Sequence, residues 1–271
     1  MTDAKNIFLT PGGDKYWNQI EWPFRLLRPI EMCACFLVDE QFISIVTKRG
    51  LITLENVRPL LQHVKRIFGQ HSKLDGVMKI EQLLTDSPFN EAAARREREN
   101  DFETVHRHSI IAMWSAIEFT IEDIVIDVIC NDPTAISRLS SAGVDLPRKL
   151  SQPLTELDAR RVFRNAESSL RRSLSSSATI CKIICVLGIP FEVDPNELSF
   201  ADEVNAVRNC LMHRGGLIDD QSIRAAPSLA PMKGRRFVVT EEYHQKVFKT
   251  LSAITNALGV GVVAYMKSIS S

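Results

Sequence analysis

The chain has no net charge, because 33 acidic side chains balance 33 lysines and arginines among its 271 residues. A protein that binds nucleic acid over its whole surface carries a large positive excess. The balance therefore excludes a chain-wide electrostatic interface, and any RNA contact must come from a local basic patch. The most basic stretch, residues 155–174, is read as a solvated helix face.

Cysteine is also sparse, with six residues that form no Cys-x-x-Cys pair. Cys181 and Cys185 lie one helical turn apart in an apolar segment, where buried thiols are a better interpretation than metal ligands. Because zinc-ligand spacing is absent, we expect neither a metal nor a cofactor. The sequence offers no ligand cluster for a metallohydrolase.

Long apolar runs and a leader are missing as well. The first five residues, Met-Thr-Asp-Ala-Lys, lack the charged-then-apolar pattern of a secretory signal. The longest apolar stretch, residues 257–266, is about half of the roughly 20 residues that span a bilayer. We therefore expect a cytoplasmic protein with reduced thiols and no membrane partner.

Apolar residues make up 45% of the chain, which is ample for a packed core. The length of the chain allows one large domain or two small ones. Residues 1–13 are expected to form a flexible lead-in. Residues 14–86 are expected to form a mostly helical region of unknown role, interrupted at Pro23 and Pro29. Within it we expect one short β-hairpin over residues 42–54 and a helix over 54–68. Residues 87–271 are assigned to a helical domain.

Apolar periodicity predicts the helices of this second region, and the fold class is all-α. The helix over residues 103–130 shows steps of 4, 3, 4, 3 and 4 between its apolar positions, namely Ile110, Trp114, Ile117, Ile121, Ile124 and Val128. Further helices are predicted over 155–174, 178–188 and 240–268, and a short β-like segment over 237–239. The apolar stripe of the last helix consists of Val247, Leu251, Ile254, Leu258, Val262 and Tyr265. His106 falls one turn before Ile110, so we interpret it as a satisfied, partly buried histidine.

One motif carries chemistry: Arg208-Asn209-Cys210-Leu211-Met212-His213, followed by Arg214-Gly215-Gly216. Ser199 and Asp202, three residues later, resemble a capping box at the start of the helix that carries the motif. The two glycines are expected to end this helix. Arg208, Asn209 and His213 lie off the apolar stripe of this helix. That stripe consists of Phe200, Val204, Val207 and Leu211. The motif combines a permanent cation that fits phosphate with an imidazole that exchanges protons near neutral pH.

The order of elements resembles the HEPN superfamily, in its branch with an Arg-Asn-x-x-x-His motif. The resemblance covers about residues 90–268. It consists of a long helix with Trp-Ser-Ala-Ile-Glu-Phe (residues 114–119), two or three shorter helices, the motif at a helix end, a loop with a short strand, and a closing helix. It implies an antiparallel helical bundle, and a homodimer that brings two motifs to one cleft. It also implies metal-independent endoribonuclease activity, often in toxins or phage defence.

By position, the resemblance gives Arg208 and His213 the family's two defining places and Asn209 the polar place between them. Glu118 corresponds to an acidic residue that some members direct toward the motif, although a solvated or paired carboxylate is its commoner role. Candidate contacts to RNA phosphates are Arg214, Lys233, Arg235 and Arg236, for which a solvated loop is the alternative.

The expected function is cleavage of single-stranded or loop RNA by attack of its own 2′-hydroxyl, leaving a 2′,3′-cyclic phosphate and a 5′-hydroxyl. An antitoxin or regulatory protein is an expected partner. The alternative is a non-catalytic, HEPN-like dimerisation, adaptor or nucleotide-binding module. The neutral charge favours this alternative, as does the shortage of aromatic residues to stack on bases.

Overall fold

The structure is a computed structural model that describes residues 13–55, 62, 91–151 and 153–270. These residues are mostly helical and include no β-strand, which confirms the all-α class for this part of the chain. The helices are α1 (Gly13–Glu55), α2 (Glu103–Asn131), α3 (Ala135–Ser141), α4 (Glu156–Leu170), α5 (Ser176–Val186), α6 (Pro195–His213), α7 (Asp220–Ala225) and α8 (Glu241–Ser270). Residues 91–99 are also helical, and a 3-10 helix covers Pro227–Met232.

Helix α1 is one helix of 43 residues, so the expected β-hairpin over 42–54 is wrong. The backbone stays helical through Pro23 and Pro29, which do not interrupt it. Buried residues at helical spacing explain this result: Leu26, Ile30, Cys33 and Leu37 follow one another at steps of 4, 3 and 4. Gly50 weakens a helix by only about 1 kcal/mol. Most of the helix expected over 54–68 lies outside the described residues.

The described residues fall into two compact units. The first contains residues 13–37, 113–237 and 247–270, and the second contains 38–55, 91–112 and 238–246. Helices α1, α2 and α8 each contribute residues to both. Two further expectations lie outside the described residues. They are the flexible lead-in over residues 1–13, of which only the last residue is described, and the domain boundary between residues 86 and 87.

The expected apolar stripes are buried. In the first unit they comprise Trp114, Ile117, Ile121, Ile124 and Val128 of α2, Val204, Val207 and Leu211 of α6, and Val247, Leu251, Ile254, Leu258, Val262 and Tyr265 of α8. The periodicity of these three helices therefore predicted their core faces correctly. The basic and apolar helices predicted before α6 are also present, as α4 and α5.

Helix α6 begins four residues before the expected start at Ser199. Asp194 caps it by accepting from the backbone N–H of Asn196 at 2.7 Å, and Pro195 occupies its first position. A proline fits there because that N–H has no partner within the helix. Asp202 instead accepts from the backbone N–H and the hydroxyl of Ser177, both at 2.8 Å, and so joins α6 to the start of α5.

Helix α8 matches the helix predicted over 240–268, but it is more apolar as a whole than its longest uninterrupted apolar run suggested. Over Glu241–Ile269 it is long and apolar enough to cross a membrane, with a mean hydropathy of 1.5 in its most apolar window. The expectation that no apolar segment approaches the length of a membrane span is therefore wrong. Uncharged polar residues interrupt the apolar run of α8, but they lower the mean hydropathy of the helix only a little. The core helices of soluble proteins also meet this criterion of length and hydropathy, and 44% of the most apolar window of α8 is buried inside the protein.

Candidate functional site

The motif helix ends where the sequence predicts. Helix α6 stops at His213, and the backbone N–H groups of Arg214 and Gly216 both donate to the carbonyl of Cys210 at 2.9 Å. Gly215 and Gly216 have φ values of 60° and 89°, which glycine adopts without steric cost. Beyond the turn, residues 237–239 form no strand. A single antiparallel bridge, Leu217 to Arg236, is all the β pairing in the described chain.

Arg208 extends from α6 toward α2. Its Nη2 donates to Oε2 of Glu118 at 3.3 Å, and its Nη1 donates to Oδ1 of Asn209 at 3.0 Å. The side chain is only 18% exposed. Its buried Nε–H has no acceptor among the described residues. Arg208 is thus a positioned cation whose buried Nε–H is still available to a ligand.

Asn209 orients Arg208 rather than His213. Its carbonyl accepts from Arg208, and its amide donates to Oδ1 of Asn205 at 3.3 Å. Since Asn205 is buried one turn earlier on α6, it fixes the plane of the Asn209 amide. Among the described residues, Asn209 therefore contacts the guanidinium and has no hydrogen bond to His213.

His213 is exposed at the last position of α6. Five residues of α-helix advance by about 7.5 Å and turn about 140° beyond one full turn, so Arg208 and His213 leave the helix in different directions. Arg208 lies against α2, whereas His213 projects from the end. The described partners of Arg208 are Asn209 and Glu118, and no hydrogen bond joins it to His213.

Arg208 lines a cavity of about 250 Å³ in the first unit. The other lining residues come from α2, α4 and α5 and from the turn after α4: Ser115, Glu118, Phe119, Ile121, Glu122, Phe163, Glu167, Arg171 and Ile180. Phe119 is 67% exposed, which is unusual for so large an apolar side chain. The cavity therefore combines two guanidinium groups, three carboxyl groups and an accessible ring.

Sequence reasoning missed Glu167 and Arg171. Arg171 donates to Oε1 of Glu167 at 2.9 Å. Burial raises the pKa of Glu167, Arg171 lowers it, and the carboxylates of Glu118 and Glu122 add to the increase, so that the pKa stays above its usual value. A carboxyl group with a raised pKa is suited to proton transfer. The only sequence signal was an ordinary Glu-to-Arg pair four residues apart.

The basic residues after the motif are partly neutralised. Arg214 pairs with Asp219 at 2.7 Å and donates to Gln221. Lys233 pairs with Asp220 at 2.5 Å. The side chains of Arg235 and Arg236 are exposed. The loop therefore presents less free positive charge than its sequence suggests.

The second unit contains a group that the sequence analysis did not anticipate. His106, Glu241 and His244 each place one ligand atom within 4.8 Å of the others, and we name them the two-histidine cluster. The expectation that the chain offers no ligand cluster is therefore wrong. Glu241-x-x-His244 has the i, i+3 spacing of ligands in metal-binding helical bundles, and that spacing was the available signal.

Comparison with family models, with curated proteins and with solved structures finds no match to this chain.

Proposed function

We propose that the chain is a metal-independent endoribonuclease of the HEPN type that acts as a homodimer on single-stranded or loop RNA in the cytoplasm. The observation that carries the proposal is the placement of Arg208. Its guanidinium is held by Glu118 and Asn209, lines a cavity, and has a buried Nε–H without an acceptor among the described residues. A positioned cation of this kind stabilises the charge that develops on a phosphate during cleavage.

The proposed reaction uses the nucleophile that RNA itself supplies. The 2′-hydroxyl oxygen attacks the adjacent phosphorus, while His213 accepts the hydroxyl proton. The bond from phosphorus to the 5′-oxygen breaks, and that oxygen receives a proton from a second group. The products are a 2′,3′-cyclic phosphate and a 5′-hydroxyl. No electrons are transferred, and no metal takes part.

The geometry gives a reason for a dimer. Within one chain Arg208 and His213 point in different directions, and one motif has only one histidine. A second copy that places its motif against the first would bring a histidine to each arginine and supply the second proton-transfer group. Sedimentation should therefore show a dimer at micromolar concentration, and a monomer alone would contradict this arrangement.

The test is incubation of total RNA with the wild type or with His213→Ala in the presence of EDTA, followed by mapping of new 5′ ends. We expect 5′-hydroxyl ends with the wild type and none with the variant. His108→Ala is the matched control, since it removes an exposed histidine of α2 and should cleave normally. Circular dichroism in the same buffer must show that each protein stays folded.

Cleavage that requires a divalent metal, or that leaves 3′-hydroxyl ends, would overturn the mechanism. An absence of cleavage by a folded dimer would favour the second candidate, a non-catalytic dimerisation, adaptor or nucleotide-binding module. A specific observation supports the dimerisation or adaptor form of that candidate: three carboxyl groups line the cavity beside Arg208 and oppose the entry of a phosphate. An antitoxin or regulatory protein would then be sought by pull-down.

A further inference from the structure

The two-histidine cluster joins two helices that are far apart in the sequence. His106 belongs to the first turn of α2, whereas Glu241 and His244 both belong to the first turn of α8. All three lie in the second unit. The Nε2 of His106 is 3.0 Å from Oε2 of Glu241, and the two imidazole centroids are 5.1 Å apart. These spacings suit ligands of a single small cation.

His106 is fully buried and lacks the hydrogen bonds that a buried imidazole needs. Neither of its ring nitrogens has a hydrogen-bond partner of good geometry among the described residues, even though Nε2 lies close to Glu241. Buried polar atoms without partners are uncommon in native proteins, and each one costs about 1–3 kcal/mol. A metal ion that accepts a nitrogen lone pair would remove part of this cost.

Within the described part of the chain, His244 has a hydrogen-bond partner at one ring nitrogen only. Its Nε2 is 2.9 Å from the hydroxyl of Ser109. Its Nδ1 is buried without a partner among the described residues. When Nε2 donates to Ser109, Nδ1 carries the lone pair that a metal ion binds.

The surroundings of His244 also match those of a metal-bound imidazole. Its ring is buried and lies beside the ring of His106. A hydrogen bond on the remote ring nitrogen is the usual support of a metal-bound histidine, and Ser109 occupies that position.

We propose that His106, Glu241 and His244 bind one Zn²⁺ ion, which fastens the first turn of α8 to the first turn of α2. Two imidazole nitrogens and one carboxylate oxygen form a known zinc ligand set, and a water molecule completes the tetrahedron. The ligand that gives the ion a path from solvent is Glu241, whose side chain is 42% exposed. This site is separate from the motif of the proposed ribonuclease and does not depend on that function.

Lys48 sets the strength of this site. Its ammonium group contacts Oε2 of Glu241, while Gln245 donates to Oε1 at 2.9 Å. A carboxylate offers about four lone-pair positions, so it can bind a cation in addition to these donors. The positive charge of Lys48 nevertheless repels a second cation. Removal of that charge should strengthen metal binding, whereas removal of a ligand should weaken it.

The experiment is a titration of the full chain, stripped of metal with EDTA and then dialysed, with Co²⁺ and with Zn²⁺. We expect one equivalent of Co²⁺ to give the visible bands of a tetrahedral site without thiolate-to-cobalt charge transfer, and Zn²⁺ to displace it. Zinc should raise the melting temperature, because an ion that binds only the folded state stabilises that state. Inductively coupled plasma spectrometry gives the stoichiometry.

Variants then assign the ligands. Glu241→Gln and His244→Ala should weaken Zn²⁺ binding by at least about tenfold, and Ser109→Ala should weaken it by roughly 10–100-fold. Lys48→Met should tighten it. His108→Ala is the matched control, because it removes an exposed histidine from the same turn of α2 and should bind as the wild type does. Circular dichroism of the metal-free proteins confirms that each variant is folded.

Three results would overturn the site. The first is no stoichiometric binding by the folded wild type, which would leave the cluster as an ion-pair network with Lys48. The second is a thiolate charge-transfer band, which would place the metal on cysteines. The third is unchanged affinity in Glu241→Gln and His244→Ala. None of these results bears on RNA cleavage, so the zinc site and the ribonuclease can fail separately.

Discussion

The guanidinium of Arg208 donates to the carboxylate of Glu118 at 3.3 Å, which joins α6 to α2 across 90 residues of sequence. A phosphate that approaches Arg208 must compete with this carboxylate. The pair therefore has two effects in the proposed enzyme. It fixes the direction of the cation, and it limits the affinity for an anionic ligand.

Glu118→Gln should separate these two effects. A partly exposed ion pair contributes about 0–1 kcal/mol, so the free energy of unfolding should change by no more than about 1 kcal/mol. Binding of an RNA oligonucleotide should become tighter, because one negative charge beside Arg208 is lost. Fluorescence anisotropy measures this binding. Glu122→Gln is the control, since Glu122 lines the same cavity but pairs with Arg160. Equal effects of both variants would refute a specific role for Glu118.

The buried face of α8 should behave as a protein core in aqueous buffer. Leu258 is 1% exposed and Val260, on the same helix, is 65% exposed. Leu258→Ala should lower the free energy of unfolding by about 2–5 kcal/mol, and Val260→Ala should change it by about 0.5 kcal/mol at most. Urea denaturation measures both values. Similar costs at the two positions would show that α8 does not pack as described.

Two glycines of α8 should respond to alanine in opposite ways. A Cβ at Gly261 would overlap the carbonyl oxygen of Pro190, which cannot move without its backbone. A Cβ at Gly259 would only touch a methyl group of Ile30 at 3.5 Å. Gly261→Ala should cost about 1–3 kcal/mol or more, whereas Gly259→Ala should be neutral or stabilise by up to about 1 kcal/mol.

Thermal melting of the two variants beside the wild type measures this difference. A melting temperature for Gly261→Ala at or above that of Gly259→Ala would show that α8 does not approach residues 189–190 so closely.

Asp158 should contribute stability that disappears in acid. Hydrogen bonds from the hydroxyls of Ser151 and Thr155 lower its pKa from 3.8 to about 2, and with Thr155 it forms a capping box at the start of α4. A folded-state pKa below the unfolded value favours the native state above about pH 4, and this advantage is lost as the pH falls to about 2. The stability gap between the wild type and Asp158→Asn should therefore narrow between pH 4 and pH 2.

Urea titrations at several pH values measure that gap. The matched control is Asp145→Asn, because Asp145 is an exposed aspartate whose only described ion pair is a 4.0 Å contact with Arg172. A gap that stays constant down to pH 2 would contradict the depressed pKa of Asp158.

The sequence could predict much of the fold because apolar spacing reports the buried side of a helix. The stripes of α2, α6 and α8 were predicted in this way. The same spacing was present in α1, but the prolines and Gly50 were given too much weight. A proline inside a helix costs about 3 kcal/mol or more and a glycine about 1 kcal/mol, and the burial of Leu26, Ile30 and Leu37 offsets these costs.

The candidate site could be predicted only in part. The motif singled out Arg208. The structure places Glu118 within hydrogen-bond distance of it, whereas the roles that the resemblance implies for these residues stay predictions. The partners of the loop cations and the raised pKa of Glu167 depend on neighbours from other helices. No local pattern reports such neighbours, because a charged residue has the same sequence signature whether it is solvated or paired.

The sequence by itself determined the all-helical class, the apolar faces of the long helices and the end of α6 at two glycines, because these features depend on residues within a few turns of one another. Only the tertiary structure decided which polar side chains meet. His106 and Glu241 are 135 positions apart, and Arg208 and Glu118 are 90 apart. Contacts over such separations follow from the packing of whole helices, which no local periodicity encodes.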